Sequence, residues 1–217
     1  MKNTFYLVRH GQTVWNTLGQ TQGHGNSPLT DLGREQAKDL AHALTNYPID
    51  YIYCSDLGRA VETAEIIGNI LDVSISKTDA IREMGFGLWE GMKIEDIQEK
   101  YPKEYDTWRN RPEETIIQGG ESLKIVKDRS SKFIDELNKK HSGKHILLIS
   151  HAIVVKVMLL NFLNSDIKNI YRLKQYNTAL NIVEYGKLGP MIVKMNDTSH
   201  LKADKNNGEN AKKSALE

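Results

Sequence analysis

The sequence predicts an α/β protein: a mostly parallel central sheet with helices on both faces and a small helical insertion over the site. Three observations carry this. Short apolar runs alternate with amphipathic helical stripes along most of the 217 residues, the pattern of strands joined by covering helices. The length suits about one domain. No internal repeat and no low-complexity block precedes the polar end of the chain, so solenoid and repeat architectures are excluded.

Phe5-Tyr6-Leu7-Val8 reads as a buried strand ending at Arg9-His10-Gly11. Residues 12–29 carry Gly19, Gly23, Gly25, Asn26 and Pro28 and are expected to form a long loop, a length usually tied to function. Thr30 can cap a helix whose stripe is Ala37, Leu40, Ala41 and Leu44, with His42 off the stripe and exposed. Pro48 stops it, and Ile49–Cys54 reads as a second strand. Ser55-Asp56 is expected to cap a helix facing inward through Ala60, Ala64, Ile67 and Leu71.

A short strand is expected near 73–76, then an irregular glycine-bearing stretch over 82–87. Helical patterning returns from Ile94 to about Trp108, and 109–120 reads as a polar connector. Ser122 can cap a long helix packing through Val126, Phe133, Ile134 and Leu137 and ended by Gly143. Ile146–Ile149 reads as a strand and Ala152–Leu163 as a helix, because Ser150, His151, Lys156 and Asn161 interrupt what could otherwise pass for a membrane span. Leu180–Tyr185 and Met191–Met195 read as two final strands, and 203–217 as a frayed polar tail.

Composition narrows the function classes. Lys plus Arg is 29 and Asp plus Glu 28, a net charge of +1, which is not the basic footprint of a nucleic-acid binder. The single cysteine, Cys54, excludes an internal disulfide and a multi-cysteine zinc site. It fits a reducing compartment, the opening residues lack a secretory pattern, and the expected location is the cytoplasm, with no membrane partner. His141 and His145 are four apart but separated by Gly143, so no metal site is expected there. His24 and His200 are expected to face solvent or bond locally.

In open α/β sheets ligands lie beyond the carboxyl ends of the strands. That rule selects Arg9-His10-Gly11, Ser55 to Arg59, and Ser150-His151-Ala152. His151 and Ala152 open a helix, where free N–H groups and the dipole favour an anion. Two guanidiniums, two imidazoles and those N–H groups suit a phosphoryl group, which the planar arginine fork binds bidentately. The common alternatives, a Walker loop, G-x-G-x-x-G, H-E-x-x-H and G-x-S-x-G, are missing.

Leu7-Val8-Arg9-His10-Gly11-Gln12-Thr13-Val14-Trp15-Asn16 resembles the Arg-His-Gly motif of the histidine phosphatase superfamily, in its phosphoglycerate-mutase-like branch. Further matches follow in order: Ser27-Pro28-Leu29-Thr30 through Gly33; Ser55-Asp56-Leu57 with Arg59-Ala60 and Thr63-Ala64; Arg82-Glu83; and Gly87 with Trp89-Glu90-Gly91. Gly119-Gly120-Glu121-Ser122 and Ser150-His151 complete the series. The resemblance spans about 4–200. It implies one phosphatase domain over 1–200, with about 89–140 contributing a helical cap, and a tail over 201–217.

The resemblance also implies roles. His10 is the expected nucleophile. Arg9, Arg59 and His151 bind the phosphoryl oxygens. Glu83 gives the proton to the leaving group. Asn16, Gln22, Gly23 and Ala152 add phosphate or substrate contacts. A nucleophilic histidine must be neutral, and flanking arginines favour that form. The arginines and His151 take the place of a metal, so no metal and no cofactor is expected, and the partner is a small phosphorylated substrate. The compact stretch Trp89–Ser122 favours a phosphatase. A phosphoglycerate mutase, a narrow enzyme such as an alpha-ribazole phosphatase, and a silent phospholigand-binding module are the alternatives; the oligomeric state is not encoded legibly.

Overall fold

The computed structural model describes residues 2–202. Its strands are β1 (Thr4–Arg9), β2 (Tyr51–Ser55), β3 (Ile75–Thr78), β4 (His145–Ser150), β5 (Leu180–Gly186) and β6 (Gly189–Asp197). Its helices are α1 (Val14–Leu18), α2 (Asp31–Leu44), α3 (Gly58–Leu71), α4 (Ile94–Lys100), α5 (Pro102–Asn110), α6 (Leu123–Lys140) and α7 (Ala152–Phe162). Among the described residues the strands form one sheet in the order β3-β2-β4-β1-β5-β6. The first four are mutually parallel, while β5 runs antiparallel to β1 and β6 antiparallel to β5. The expected α/β class is the observed one.

Both faces of the parallel part are buried, as crossover helices require. Side chains alternate along a strand, so Phe5 and Leu7 of β1 pack with Ile146 and Leu148 of β4 under α6 and α7. Tyr6 and Val8 pack with Leu147 and Ile149 under Leu40, Leu44, Ala60 and Ile67 of α2 and α3. Each such aliphatic side chain contributes about 1.5–3 kcal/mol on full burial. Register then places the chemistry: Arg9 pairs with Ser150, and Cys54 with Ile149, so β1, β4 and β2 end at one level. His10, His151 and the start of α3 follow those ends directly.

Several local expectations are corrected. The loop over 12–29 contains α1, nucleated by a capping box: Thr13 Oγ1 accepts from Asn16 N, and Asn16 Oδ1 accepts from Thr13 N. The helix expected over 94–108 is two helices, because Pro102 starts the second and the residue before a proline is driven out of helical geometry. Ser55-Asp56 does not cap α3. Leu57 holds that position without a side-chain bond, and Asp56 is held by Arg82, whose Nε donates to it at 2.6 Å.

The helix α6 ends at Lys140, before Gly143, whose φ of 68° serves the turn that follows. Short 3-10 turns at Pro112–Glu114 and Ile167–Arg172 were not expected. The strand near 73–76 begins two residues later, after Asp72 turns the chain at a φ of 55°. His42 is exposed, as expected. The tail over 203–217 lies outside the described residues.

Candidate active site

His10 leaves β1 fully enclosed, 2 % exposed. Its Nδ1 lies 2.7 Å from the Gly11 carbonyl oxygen. A carbonyl can only accept, so Nδ1 carries the proton and Nε2 bears the lone pair. Arg59 Nε donates to that Nε2 at 3.3 Å, in agreement with the same tautomer. Burial, then the Arg59 and Arg9 guanidiniums, hold the imidazole well below its ordinary pKa. His10 is therefore neutral near pH 7, with its lone pair on Nε2.

His151 follows β4 and stands at the N-cap of α7 with no side-chain capping bond. Its ring centroid is 5.2 Å from that of His10. Neither ring nitrogen has a hydrogen-bond partner among the described residues, although His151 is buried. Burial, then Arg59, His10 and Arg9, hold it well below the usual imidazole value. A buried polar ring without partners beside His10 is a position for a ligand's oxygens.

Arg59 enters from the first turn of α3, 1 % exposed. Its Nη1 donates to Gly25 O and its Nη2 to Gly23 O, both at 2.8 Å. Burial pulls its pKa down to about 10, partly offset by Glu83 and Glu90, so it remains charged at neutral pH. Arg9 is also buried, and its Nη1 donates to Gln175 O at 2.6 Å.

Glu83 is also buried, 7 % exposed. Its Oε1 accepts from Met84 N at 2.9 Å and its Oε2 from Ile153 N at 3.4 Å. The carboxyl thus rests at the N-terminus of α7, where the helix dipole favours it. Its loop is tied down on several sides. Ser150 Oγ donates to Ile81 O at 2.8 Å, and Arg129 Nη2 and His24 Nε2 reach the Glu83 carbonyl, both at 3.0 Å. His24, expected to face solvent or bond locally, is exposed and also bridges from residue 24 to residue 83.

The structure gathers His10, Arg9, Arg59, His151, Glu83 and Ala152 at one end of the sheet. The residues expected from the long loop either have protein partners or keep a polar atom open. Gly23 accepts from Arg59, as above. Asn16 Oδ1 is spent on Thr13 and on Asn177 Nδ2, at 3.0 and 3.4 Å. Gln22 Oε1 and Thr21 Oγ1 are buried and without partners, so Gln22 keeps an acceptor and Thr21 a hydroxyl for a ligand.

A polar rack behind the nucleophile was not found by sequence reasoning. Asn177 Nδ2 donates to His10 O at 2.9 Å. Thr178 N donates to Arg9 O at 3.0 Å. Gln175 and Asn181 exchange amide bonds at 3.0 and 2.9 Å, and Asn181 also donates to Leu7 O at 3.0 Å. The run Gln175-Tyr176-Asn177-Thr178 looks like an ordinary turn, and only the antiparallel pairing of β5 with β1 brings it here. Among the described residues no group of three or more His, Cys, Asp or Glu side chains is arranged to hold a metal ion.

Residues 5–198 match the family described as the histidine phosphatase superfamily (branch 1). The chain belongs to this superfamily. It is 33% identical over 195 residues to phosphoserine phosphatase 1 of Hydrogenobacter thermophilus, covering 90% of this chain and 92% of that protein. It is 33% identical over 205 residues to the probable phosphoglycerate mutase GpmB of Yersinia pestis, covering 90% and 94%. Among solved structures, Bacillus stearothermophilus YhfR superposes with a TM-score of 0.88 at 30% identity, covering 92% of this chain and all of that one. Membership explains the expected motifs in structural terms. The Arg-His-Gly glycine, Gly11, would carry a Cβ 2.4 Å from the Gly33 carbonyl oxygen, so the loop after the histidine of this histidine phosphatase fold closes onto α2 only with glycine there.

Proposed function

We propose that this histidine phosphatase superfamily member hydrolyses small phosphomonoesters through a phosphohistidine on His10, without a metal. One observation carries the reading: the His10 Nε2 lone pair faces the Arg59 guanidinium, with Nδ1 locked on Gly11 and the unpartnered His151 ring alongside. His10 Nε2 attacks phosphorus while the P–O bond to the alcohol breaks. Arg9, Arg59 and His151 hold the equatorial oxygens as charge redistributes, which is preorganised electrostatic stabilisation. Glu83 gives a proton to the departing oxygen, then takes one from the water that attacks the phosphohistidine. That second attack releases inorganic phosphate and restores neutral His10.

The relative named phosphoserine phosphatase supports hydrolysis as the outcome, while the GpmB relative supports only the same first half-reaction. We assign Asn16, Gln22 and Gly23 to the rim of the phosphate site and Ala152 to its helix-N-terminal floor. We take the helical segment at about 89–140 as a cap whose α4 and α5 face the substrate's carbon skeleton. No helix among the described residues is long and apolar enough to cross a membrane, and we infer a cytoplasmic enzyme from the lone buried thiol of Cys54.

A screen of phosphorylated metabolites, including phosphoserine and the phosphoglycerates, tests the proposal with released phosphate as readout. Turnover should survive exhaustive EDTA. Rapid quench should trap an acid-labile, base-stable phosphoenzyme that the His10→Ala variant cannot form. Isomerisation of phosphoglycerates outpacing phosphate release would favour the mutase. An adduct persisting in His10→Ala, or EDTA loss restored by Mg²⁺, would overturn the mechanism.

A further inference from the structure

Glu90 joins two loops of the site. Its Oε1 accepts from His24 N at 2.9 Å and from Phe86 N at 3.0 Å. One oxygen thus joins the 22–25 loop to the 83–90 loop. The 22–25 loop supplies both carbonyls that clamp the Arg59 fork, Gly23 O and Gly25 O. The 83–90 loop carries Glu83, whose carbonyl receives His24 Nε2.

The fit is close. Gly23 has a φ of 53°, and a Cβ there would lie 2.2 Å from Glu90 Oε1. The glycine at 23 is therefore required by the carboxylate as well as by the backbone. No ladder of a regular element would pair these two N–H groups if the carboxylate withdrew. The neighbouring contacts are independent of it: Thr21 N donates to Met92 O, Gly91 N to Thr21 O, and Gln20 Nε2 to Gly91 O. Those three bonds keep the two loops adjacent, so loss of Glu90 loosens the site without releasing the fold.

We infer that Glu90 is a positioning residue that fixes the Arg59 guanidinium and the Glu83 carboxyl relative to each other, through its hydrogen bonds to His24 and Phe86. The inference rests on the proposed phosphatase reading. Two components are separable: Glu90 accepts two hydrogen bonds, and it places a negative charge near buried Arg59. Geometry assigns the effect to the first, because both bonds converge on one oxygen that an amide can also supply.

Two conservative variants separate them. Glu90→Gln keeps the oxygen at the same reach and removes the charge. Glu90→Asp keeps the charge and draws the oxygen back by one methylene. The expected order is that Glu90→Gln stays within fivefold of wild type in kcat/KM. Glu90→Asp should lose about 10- to 100-fold, the range that follows a displacement on the order of 1 Å in an active site.

The loss should fall on kcat, with KM nearly unchanged. Vanadate affinity, measured by calorimetry on the same proteins, should weaken in parallel, because vanadate adopts the trigonal-bipyramidal geometry that the aligned groups bind. Melting temperatures of both variants should stay near that of wild type. The reverse order, equal activity in all three proteins, or a loss confined to KM with vanadate affinity intact would overturn the inference. A wild-type protein that neither releases phosphate nor binds vanadate would instead overturn the proposed function, so the two failures are distinguishable.

Discussion

Arg59→Ala removes one guanidinium that serves three acceptors, His10 Nε2, Gly23 O and Gly25 O. Two consequences follow, of different size. The first is on stability. A buried carbonyl stripped of its donor loses about 1–3 kcal/mol. The space vacated lies among polar groups, so water can enter and serve both carbonyls, and the loss should fall at the low end of that range. Removing a buried cation next to Arg9 offsets part of it.

The second consequence is on catalysis. Arg59 reaches His10 Nε2, the atom we propose attacks phosphorus, and loss of one preorganised donor of this kind lowers kcat by about 10²–10³-fold. Arg9 still helps to hold the His10 pKa down, but the Arg59 contribution, second only to burial, is lost. Its pKa therefore rises, and the acid limb of the variant's kcat/KM profile moves to higher pH. Arg59→Lys restores charge but not the planar fork and should recover less than tenfold.

The assay is kcat/KM on an aryl phosphate across pH, beside a thermal melt followed by circular dichroism. A cooperative melt with at least a hundredfold loss is expected. A loss under tenfold, or an activity loss explained by a missing cooperative transition, would refute the assignment of Arg59 to the phosphoryl group.

Glu83→Gln keeps size and hydrogen bonding but removes the transferable proton. Its kcat/KM should fall far more on an alkyl phosphate, which leaves as a basic alkoxide, than on an activated aryl phosphate; equal losses would move the acid role elsewhere. Stability should decline on acidification. The folded pKa values of His10 and His151 are depressed, so below the ordinary imidazole value of about 6.5 the unfolded chain binds protons that the folded one does not. Each histidine then removes about 1.4 kcal/mol per pH unit as pH falls from there towards the folded values. Urea unfolding between pH 7 and 5 reads the slope, which His151→Asn should make shallower; a flat profile would contradict the burial of both rings.

The sequence by itself determined the sheet class and the nucleophile's place. Alternating residues in Phe5–Val8 and Ile146–Ile149 can be buried on both faces only in a parallel sheet covered by helices. Parallel strands that end together must bring Arg9-His10, Arg59 and His151 to one edge. Thr30 was legible as a helix cap because capping is a local bond within three residues, and it accepts from Gly33 N at 3.0 Å. The capping box of Thr13 and Asn16 is equally local, but the glycines that follow it mask the helix it starts.

What only tertiary structure decided is how the site is held. The clamp on Arg59, the bond from His24 to the Glu83 carbonyl and the bridge through Glu90 join residues 23 to 59, 24 to 83 and 90 to 24. Gln175, Asn177 and Asn181 reach β1 from more than 160 residues away in the chain. Such contacts leave no periodicity in the sequence, because a single side-chain hydrogen bond fixes one residue type at one position and imposes no pattern on its neighbours. Hydrophobic burial acts on every second or every third to fourth residue and is therefore written along the chain. The bonds that orient a nucleophile are made once each, across distances that only the folded sheet sets.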